Sequence, residues 1–499
     1  MVTFFVAFLV SLLVALVLTW RVRERALAWG WLDQANSSRK VHVRAVPRLG
    51  GIGIVGGFFA PLCALFLVDS GVGDQFVSQT SLIVGLFVGG AIIAALGFYD
   101  DLKGAGAKLK FSVQLAVALG LYALGFRIEV LANPFGAELT LGLLSLPLTV
   151  VWVVGVINAL NLIDGLDGLA GGVAFFGVGT HFLLALMRGD VLLCLLMVAL
   201  AGAILGFLVF NFNPASIFMG DTGSMFLGFV LAAVSIKTSS KSGTAVALLV
   251  PVMALGLPIM DTLLAMVRRS LLGRPMFSAD KEHIHHRLMS RLLLSHRTTV
   301  LVLYALCTLF MVTALALHFA NSLQSALLLS GVGVVIMVLM RKLGYLDMRH
   351  IGAVHQTRHR NLELRSLVRS VTSAVRAAGS FQEVWNAVRP LSQGLSLSAL
   401  ELRLRRPHED VNAGVVFESQ HPDAGAEAAL EVRLDVRLDV KEEQTLLGAL
   451  RLVWRDGRAA IDRDEELALE VVADAVAERV GQLVALEAAE PERIIALRR

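Results

Sequence analysis

Asn158, Asn161, Asp164 and Asp167 recur every third residue along one stretch, and Gly165 and Gly168 separate the carboxylates. On a helix, residues three apart are neighbours, so each polar side chain meets the next. The glycines let the backbone leave the helix between the acids. The stretch closes an apolar run, roughly Leu143 to Ile157, that suits a bilayer, and amides and carboxylates at a membrane boundary point to a site. A solvated loop with helix caps is the plainer reading of the same residues. Three further polar clusters favour the site: Asp100-Asp101, Asp221 in Gly220-Asp-Thr-Gly-Ser224, and His283-Ile-His285-His286.

Five carboxylates gathered at one membrane face would repel one another or hold protons at neutral pH. A hard divalent cation, Mg2+ or alternatively Mn2+, removes that conflict with oxygen ligands and retains room for water and phosphate. Lys40, Arg44, Arg48, Arg268, Arg269 and Arg274 supply positive charge for a phosphorylated substrate. Carboxylates, a metal and basic groups together suit phosphoryl transfer, in which the protein positions oxygens and neutralises charge. Asp221 opens a helix, where it is either an N-cap or, beside the other acids, a metal ligand. The histidine cluster fits no common zinc spacing and lacks a cysteine partner. Among arginines it suits a pyrophosphate; elsewhere it would be solvated surface. Asn211 and Phe218 offer an amide and a ring to a nucleobase, or are ordinary loop residues.

These residues need membrane helices to position them. The chain has 499 residues, 56% of them hydrophobic, and a mean hydropathy of +0.71, too apolar for a soluble enzyme of this length. About eleven apolar runs of spanning length precede Arg341. A charged pattern follows, which predicts a membrane domain over 1–341 and a soluble domain over 342–499. Cys63, Cys194 and Cys307 all lie in apolar runs and read as packing residues. The first run has no basic start and no small-residue cleavage site, so it reads as a retained span. The basic excess from Arg21 to Arg48 places the following loop in the cytoplasm and the N-terminus outside. With eleven spans, every polar cluster and the C-terminal domain then share the cytoplasmic side. Glu129 to Gly142 reads as a small external hairpin, and Pro251 and Pro258 should kink their span.

The motifs resemble those of the polyprenyl-phosphate N-acetylhexosamine-1-phosphate transferases. The resemblance rests on Arg39-Lys-Val-His42 with Val46-Pro-Arg-Leu-Gly-Gly51, Tyr99-Asp-Asp101, Asn158 to Asp167, Phe218-Met-Gly-Asp-Thr-Gly-Ser224, and His283-Ile-His-His286. It implies an all-α polytopic fold of about 11 transmembrane helices in a bacterial inner membrane. The implied reaction is Mg2+-dependent transfer of a sugar-1-phosphate from a UDP-N-acetylhexosamine to undecaprenyl phosphate, releasing UMP. By resemblance Asp221 is the Mg2+ ligand, joined by Asp164, and Asp100 and Asp101 are a catalytic acidic pair near the lipid phosphate, with Asp100 placed to remove its proton or the pair only to hold metal or lysine. Asn158, Asn161, Asp164 and Asp167 face the nucleotide sugar, and Asn211 and Phe218 hold the uracil. His283, His285 and His286 contact the diphosphate and sugar, and Lys40, Arg44, Arg48, Arg268 and Arg269 bind substrate. The His-Ile-His-His form and the Val46–Gly51 segment resemble the GlcNAc branch more than the peptidoglycan branch, which stands as the alternative.

The C-terminal domain reads as helix, strands, helix. Leu430 to Val440 alternates strictly between apolar and charged residues, as a half-buried antiparallel strand does. The order resembles a GAF-like α+β domain, for which ligand sensing and dimerisation are both open, so a homodimer is a candidate assembly. Arg349 to Arg369 is basic enough to meet anionic lipid headgroups or to be a solvated face. No nucleic-acid partner is expected. A transporter would set its acids at mid-span, whereas these lie at span ends; a membrane sensor is the remaining alternative.

Overall fold

The computed structural model describes residues 2–31, 46–67, 71–131, 139–240, 249–274, 282–345, 351–404, 415–420, 430–440, 443–458 and 460–496. By its internal contacts the chain divides into two compact units. The first comprises Met1–Val267 and Phe277–Asp347, the second Arg268–Met276 and Met348–Arg499.

The first unit begins with α1 (Val2–Trp29), α2 (Gly51–Ala64), α3 (Gly71–Ser78), α4 (Thr80–Lys103) and α5 (Ala107–Ala123). The expected hairpin follows: β1 (Val130–Leu131) pairs antiparallel with β2 (Leu139–Thr140). Then come α6 (Ser145–Ile163), α7 (Leu169–Met187), α8 (Val191–Asn211), α9 (Gly220–Ser240), α10 (Leu249–Ala254), α11 (Gly256–Leu272), α12 (Ile284–Leu292), α13 (His296–Phe319) and α14 (Ser322–Lys342).

Seven helices among the described residues are long and apolar enough to cross a membrane, so the protein is a multi-pass helical membrane protein. Four of the apolar runs read from hydropathy fall outside that set. α2 has 14 residues and α5 has 17. α9 has 21 but carries Asp221 and Lys237. The run around Pro251 and Pro258 is divided into α10 and α11. Pro258 cannot donate to the carbonyl of Ala254, and α10 ends at that residue. Hydropathy counts apolar residues but does not see where a helix breaks.

α9 is the buried centre of this unit. Phe226, Phe229, Val230 and Ala233 are fully enclosed, and a side chain at Gly228 would collide with the backbone of Ile157 in α6. In lipid there is little hydrophobic drive between helices, so such close small-residue contact is what holds them. α1 and α14 are peripheral, with Phe5, Leu13, Leu327 and Met337 each more than half exposed.

The second unit holds α15 (Ile351–Ala377), α16 (Phe381–Val388), α17 (Leu391–Gly394), β3 (Ala399–Leu404), β4 (Val415–Gln420), β5 (Leu430–Val440), β6 (Glu443–Trp454) and α18 (Arg463–Ala496). Its strands form one antiparallel sheet in the order β4-β3-β6-β5. β4 was not anticipated. On β5 the apolar set is the more buried and Glu431, Arg433, Asp435 and Arg437 are exposed, as the alternation required. Leu400, Leu402, Leu450 and Leu452 join Val371, Val375, Val472 and Val476 in one core. Trp454, fully buried, donates its indole N–H to the Leu395 carbonyl at 3.0 Å. Asn361 donates to the Leu272 carbonyl at 2.9 Å, and Arg274 pairs with Asp464 at 2.9 Å. The Arg268–Met276 segment is thereby part of this unit.

Candidate active site

Lys110 is the hub of the polar cluster in the first unit. Its Nζ donates to Asp100 Oδ2 at 2.6 Å and to Asp221 Oδ2 at 2.7 Å. Three helices make this contact: Asp100 is in the last turn of α4, Lys110 in the first turn of α5, and Asp221 in the first turn of α9. The other Asp100 oxygen accepts from the Ala105 backbone N–H at 2.5 Å.

Asp101 has a different task. Its carboxylate accepts from the backbone N–H of Asp221 at 2.8 Å, the N–H of Thr222 at 3.0 Å and the Thr222 hydroxyl at 2.6 Å. It therefore caps α9 from another helix and meets the positive end of that helix's dipole. Gly220 makes this possible. It has a φ of 71°, and a Cβ there would strike the Arg48 carbonyl and the Asp101 carboxylate. The approach to α9 is fixed by backbone pairing as well. Phe218 N–H donates to the Pro47 carbonyl at 2.7 Å, and Gly50 and Gly51 donate to Phe218 and Met219 at 2.9 and 2.8 Å.

The Asn158–Asp167 stretch lies across the same region. Asn158 donates to Gln114 Oε1 at 2.7 Å, and Gln114 reaches Met225 Sδ at 3.5 Å. Asn161 donates to Ser224 Oγ at 3.0 Å. Asp164 caps the C-terminal end of α6. Burial, then the negative charges of Asp221 and Asp101, raise its carboxyl to about 7, with Arg48 opposing them. Asp167 accepts from Asn213 at 2.9 Å and from the Ala215 N–H at 3.0 Å, while its buried Oδ1 has no partner. Asn211 accepts from Gly168 N–H at 3.0 Å and donates to the Ile217 carbonyl at 2.9 Å. Both ends of its amide thus hold the 211–218 loop. Phe218 is half-buried.

The histidines are organised by Asp261, which is buried in α11. His283 Nδ1 lies 2.8 Å from one Asp261 oxygen, and Ile284 N–H donates to the other at 2.9 Å. His285 stacks parallel to His283 at 5.8 Å, and His286 lies 4.2 Å from His285. A Cβ on Gly165 would fall 2.8 Å from His285 Nε2, so this ring lies against the turn between Asp164 and Asp167. His285 Nε2 is buried without a partner, and burial followed by the neighbouring His286 charge lowers its pKa to about 3. Arg287 steadies the segment by donating to the Leu343 carbonyl at 3.1 Å and to Glu282 at 2.7 Å.

The structure thus brings Asp100, Asp101 and Asp221 together through Lys110 and Thr222, and sets Asp164 within their field. It sets Asn158 and Asn161 against α5 and α9. Arg268 and Arg269 fall in the second unit. Lys40 and Arg44 lie outside the described residues. Lys110, Gln114, Asp261 and Asn213 were not singled out from sequence. Gln114 and Asp261 had a signal, each being an isolated polar residue in an apolar run. Lys110 had one too, ten residues beyond Asp100 across a Gly104-Ala-Gly106 turn.

Among the described residues no group of three metal-ligating side chains is preassembled. Mg2+ needs no such cage, because it commonly takes one or two carboxylates and keeps water and phosphate oxygens. Asp164 and Asp221 fit that need: they are oxygen donors close enough that the charge of one raises the other's pKa.

Residues 83–239 match glycosyl transferase family 4. Over 322 residues the chain is 40% identical to a probable undecaprenyl-phosphate N-acetylglucosaminyl 1-phosphate transferase of Bacillus subtilis, covering 64% of this chain and 87% of that one. It is 37% identical over 342 residues to a decaprenyl-phosphate N-acetylglucosaminephosphotransferase of Mycobacterium tuberculosis, covering 62% and 83%. An undecaprenyl-phosphate alpha-N-acetylglucosaminyl 1-phosphate transferase of Yersinia pestis is 27% identical over 296 residues, covering 58% and 78%.

Proposed function

The chain belongs to glycosyl transferase family 4, and we propose that its carboxylate–lysine cluster transfers N-acetylglucosamine-1-phosphate from UDP-GlcNAc to undecaprenyl phosphate. It is a polyprenyl-phosphate N-acetylglucosamine-1-phosphate transferase, acting at the first lipid-linked step of glycan synthesis. The observation that carries the reading is the meeting of Asp100, Lys110 and Asp221 at three helix ends, with Asp164 in their field.

In this mechanism an oxygen of the lipid phosphate attacks the phosphorus that bears the sugar. A new P–O–P linkage forms, and the bond to UMP breaks with its electron pair leaving on UMP. A phosphate monoester has a second pKa of about 6 and is mostly dianionic at neutral pH, so the attack needs no base. Asp100 already accepts from Lys110 and Ala105, which suits it to orient the lysine rather than to take a proton. Lys110 stands where it can neutralise charge on a phosphate oxygen without moving off α5. Asp164 and Asp221 would hold Mg2+, which supplies further charge neutralisation at the transferring phosphate. His285, neutral through the physiological range, offers Nε2 beside the Asp164–Asp167 turn for a sugar or phosphate hydroxyl. Phe218 offers a ring to the uracil, with Asn211 fixing its loop.

We count α2, α5, α9 and the α10–α11 run as crossings beside the seven helices that qualify alone. Eleven crossings from an external N-terminus would favour the cytoplasmic side of a bacterial inner membrane for the cluster and for the C-terminal unit. The C-terminal unit, a four-stranded antiparallel sheet with helices before and after it, suits a GAF-like domain.

The test is UMP release from UDP-GlcNAc by the purified chain. Release is expected only with undecaprenyl phosphate and Mg2+ both present; release without the lipid, or none with both, overturns the reading. A panel of UDP-sugars settles the donor. A phosphorylated aspartate trapped in the absence of acceptor would replace direct attack with a covalent route.

A further inference from the structure

The turn between Asp164 and α7 contains two glycines, and a side chain from outside the acidic motifs meets each of them. His285 of α12 lies against Gly165. Tyr304 of α13 reaches Gly168, and its hydroxyl donates to the Gly168 carbonyl at 2.6 Å. Only Leu293, Leu294 and Ser295 separate α12 from α13, so one stretch of chain holds both ends of the turn.

The Tyr304 contact has a prepared place. Gly172, one turn into α7, admits the ring, because a Cβ there would overlap it. Phe176 and Phe212 flank the ring at 5.5 and 6.4 Å. Gly168 has a φ of 78°, a conformation that suits glycine. It is fixed from both sides, its N–H by Asn211 at 3.0 Å and its carbonyl by Tyr304. That carbonyl also accepts the Gly172 N–H at 3.0 Å, the first bond of α7. The helix therefore does not need the tyrosine hydroxyl in order to form.

What the hydroxyl governs is the residue before the glycine. Asp167 is 8% exposed. Its Oδ2 is engaged by Asn213 and by the Ala215 N–H, and its Oδ1 is buried without a partner. A buried carboxylate oxygen without a donor costs free energy until a ligand supplies one. The backbone at Asp167 and Gly168 sets where that oxygen points, and Tyr304 is one of the anchors of that backbone.

We propose that Tyr304 is a positioning residue for the donor substrate: it locks the backbone after Asp167 so that Oδ1 faces an N–H or hydroxyl of the nucleotide sugar. The inference rests on the transferase reading above. Tyr304 acts through Asp167 and does not touch the reacting atoms. Its effect falls on donor binding, whereas the chemical step belongs to the cluster around Lys110.

The experiment uses Tyr304→Phe in the full chain in detergent. Phenylalanine keeps the ring contacts, and the Gly168 carbonyl keeps its Gly172 partner, so the thermal melt should match that of the parent. KM for UDP-GlcNAc should rise about tenfold, the scale of one hydrogen bond, while kcat and KM for undecaprenyl phosphate stay within about twofold. An unchanged donor KM, or an equal loss for both substrates, overturns the assignment. A double-mutant cycle with Asp167→Asn adds a readout that a merely structural tyrosine would not move. It is run on the Kd of UDP-GlcNAc without acceptor, so that a variant unable to turn over still counts. In the Asp167→Asn background, Tyr304→Phe should weaken binding by less than about twofold; additive losses overturn the inference. Binding that follows this cycle in a chain that releases no UMP would sink the transferase reading and leave the role of Tyr304 standing. UMP release with a Kd indifferent to Tyr304→Phe would do the reverse.

Discussion

Lys110 holds two carboxylates that would otherwise face each other, so its removal should be felt at once. Lys110→Gln is expected to lower kcat by about a hundredfold, the scale of losing two charge-assisted contacts. Lys110→Arg should rescue little, because the larger planar guanidinium cannot take the place of a compact ammonium held 2.6 and 2.7 Å from carboxylates on two different helices. UMP release measures both. Asp221→Asn should abolish turnover while leaving the yield of folded protein near that of the parent. Asp164 gives a pH test. Its folded pKa, about 7, lies above the unfolded carboxylate value, so the folded chain holds this proton more tightly. Mg2+ needs the carboxylate and must displace that proton below pH 7. The Mg2+ concentration for half-maximal activity should therefore fall as pH rises from 6 towards 8, with a slope near tenfold per unit on the acid side; a flat profile would remove Asp164 as a ligand. The residues of the cluster were legible because acids and amides at span ends are conspicuous. Their division of labour was not. Asp100 and Asp101 are adjacent in the sequence, yet one meets Lys110 and the other caps α9, because partners are set by which helix ends converge. Asn211 read as an amide for a base or an ordinary loop residue; its amide also ties Gly168 to Ile217, which no spacing in the sequence announced.

At the scale of elements, the start of α9 is the critical construction. Gly220→Ala should cost more than about 2 kcal/mol, since it combines an unfavourable φ with a collision at Arg48 and Asp101. A thermal melt in detergent should show the loss, and an unshifted melt would mean that the turn rearranges freely. Asp261→Asn keeps a hydrogen-bond acceptor for Ile284 but removes the charge facing His283, so activity should fall while the melt moves little. The long peripheral helices and the alternating strand β5 were readable from periodicity alone. Breaks were harder: the prolines near α10 and α11 announced a kink, but hydropathy scored the run as continuous. β4 was missed because Val415 to Gln420 is short and ends in polar residues, and its place at the sheet edge is fixed by pairing with β3 rather than by its own pattern.

The whole molecule is two units, and a chain ended after Lys342 should retain transferase activity, with complete loss in an inserted, folded truncation showing the tail to be integral. The boundary is not a single point, however. Residues 268–276 sit with the C-terminal unit, although the chain runs from Asp261 through them to His283. The tail is therefore moored at two places along the sequence, once by its own connection after α14 and once by holding Leu272, the last residue of α11, and Arg274 through Asn361 and Asp464. Cutting the backbone after Lys342 and deleting everything beyond it are then different operations. A nicked protein should keep its tail through purification, whereas a deleted one leaves the end of α11 and Arg274 without that hold, upstream of the histidines in the sequence.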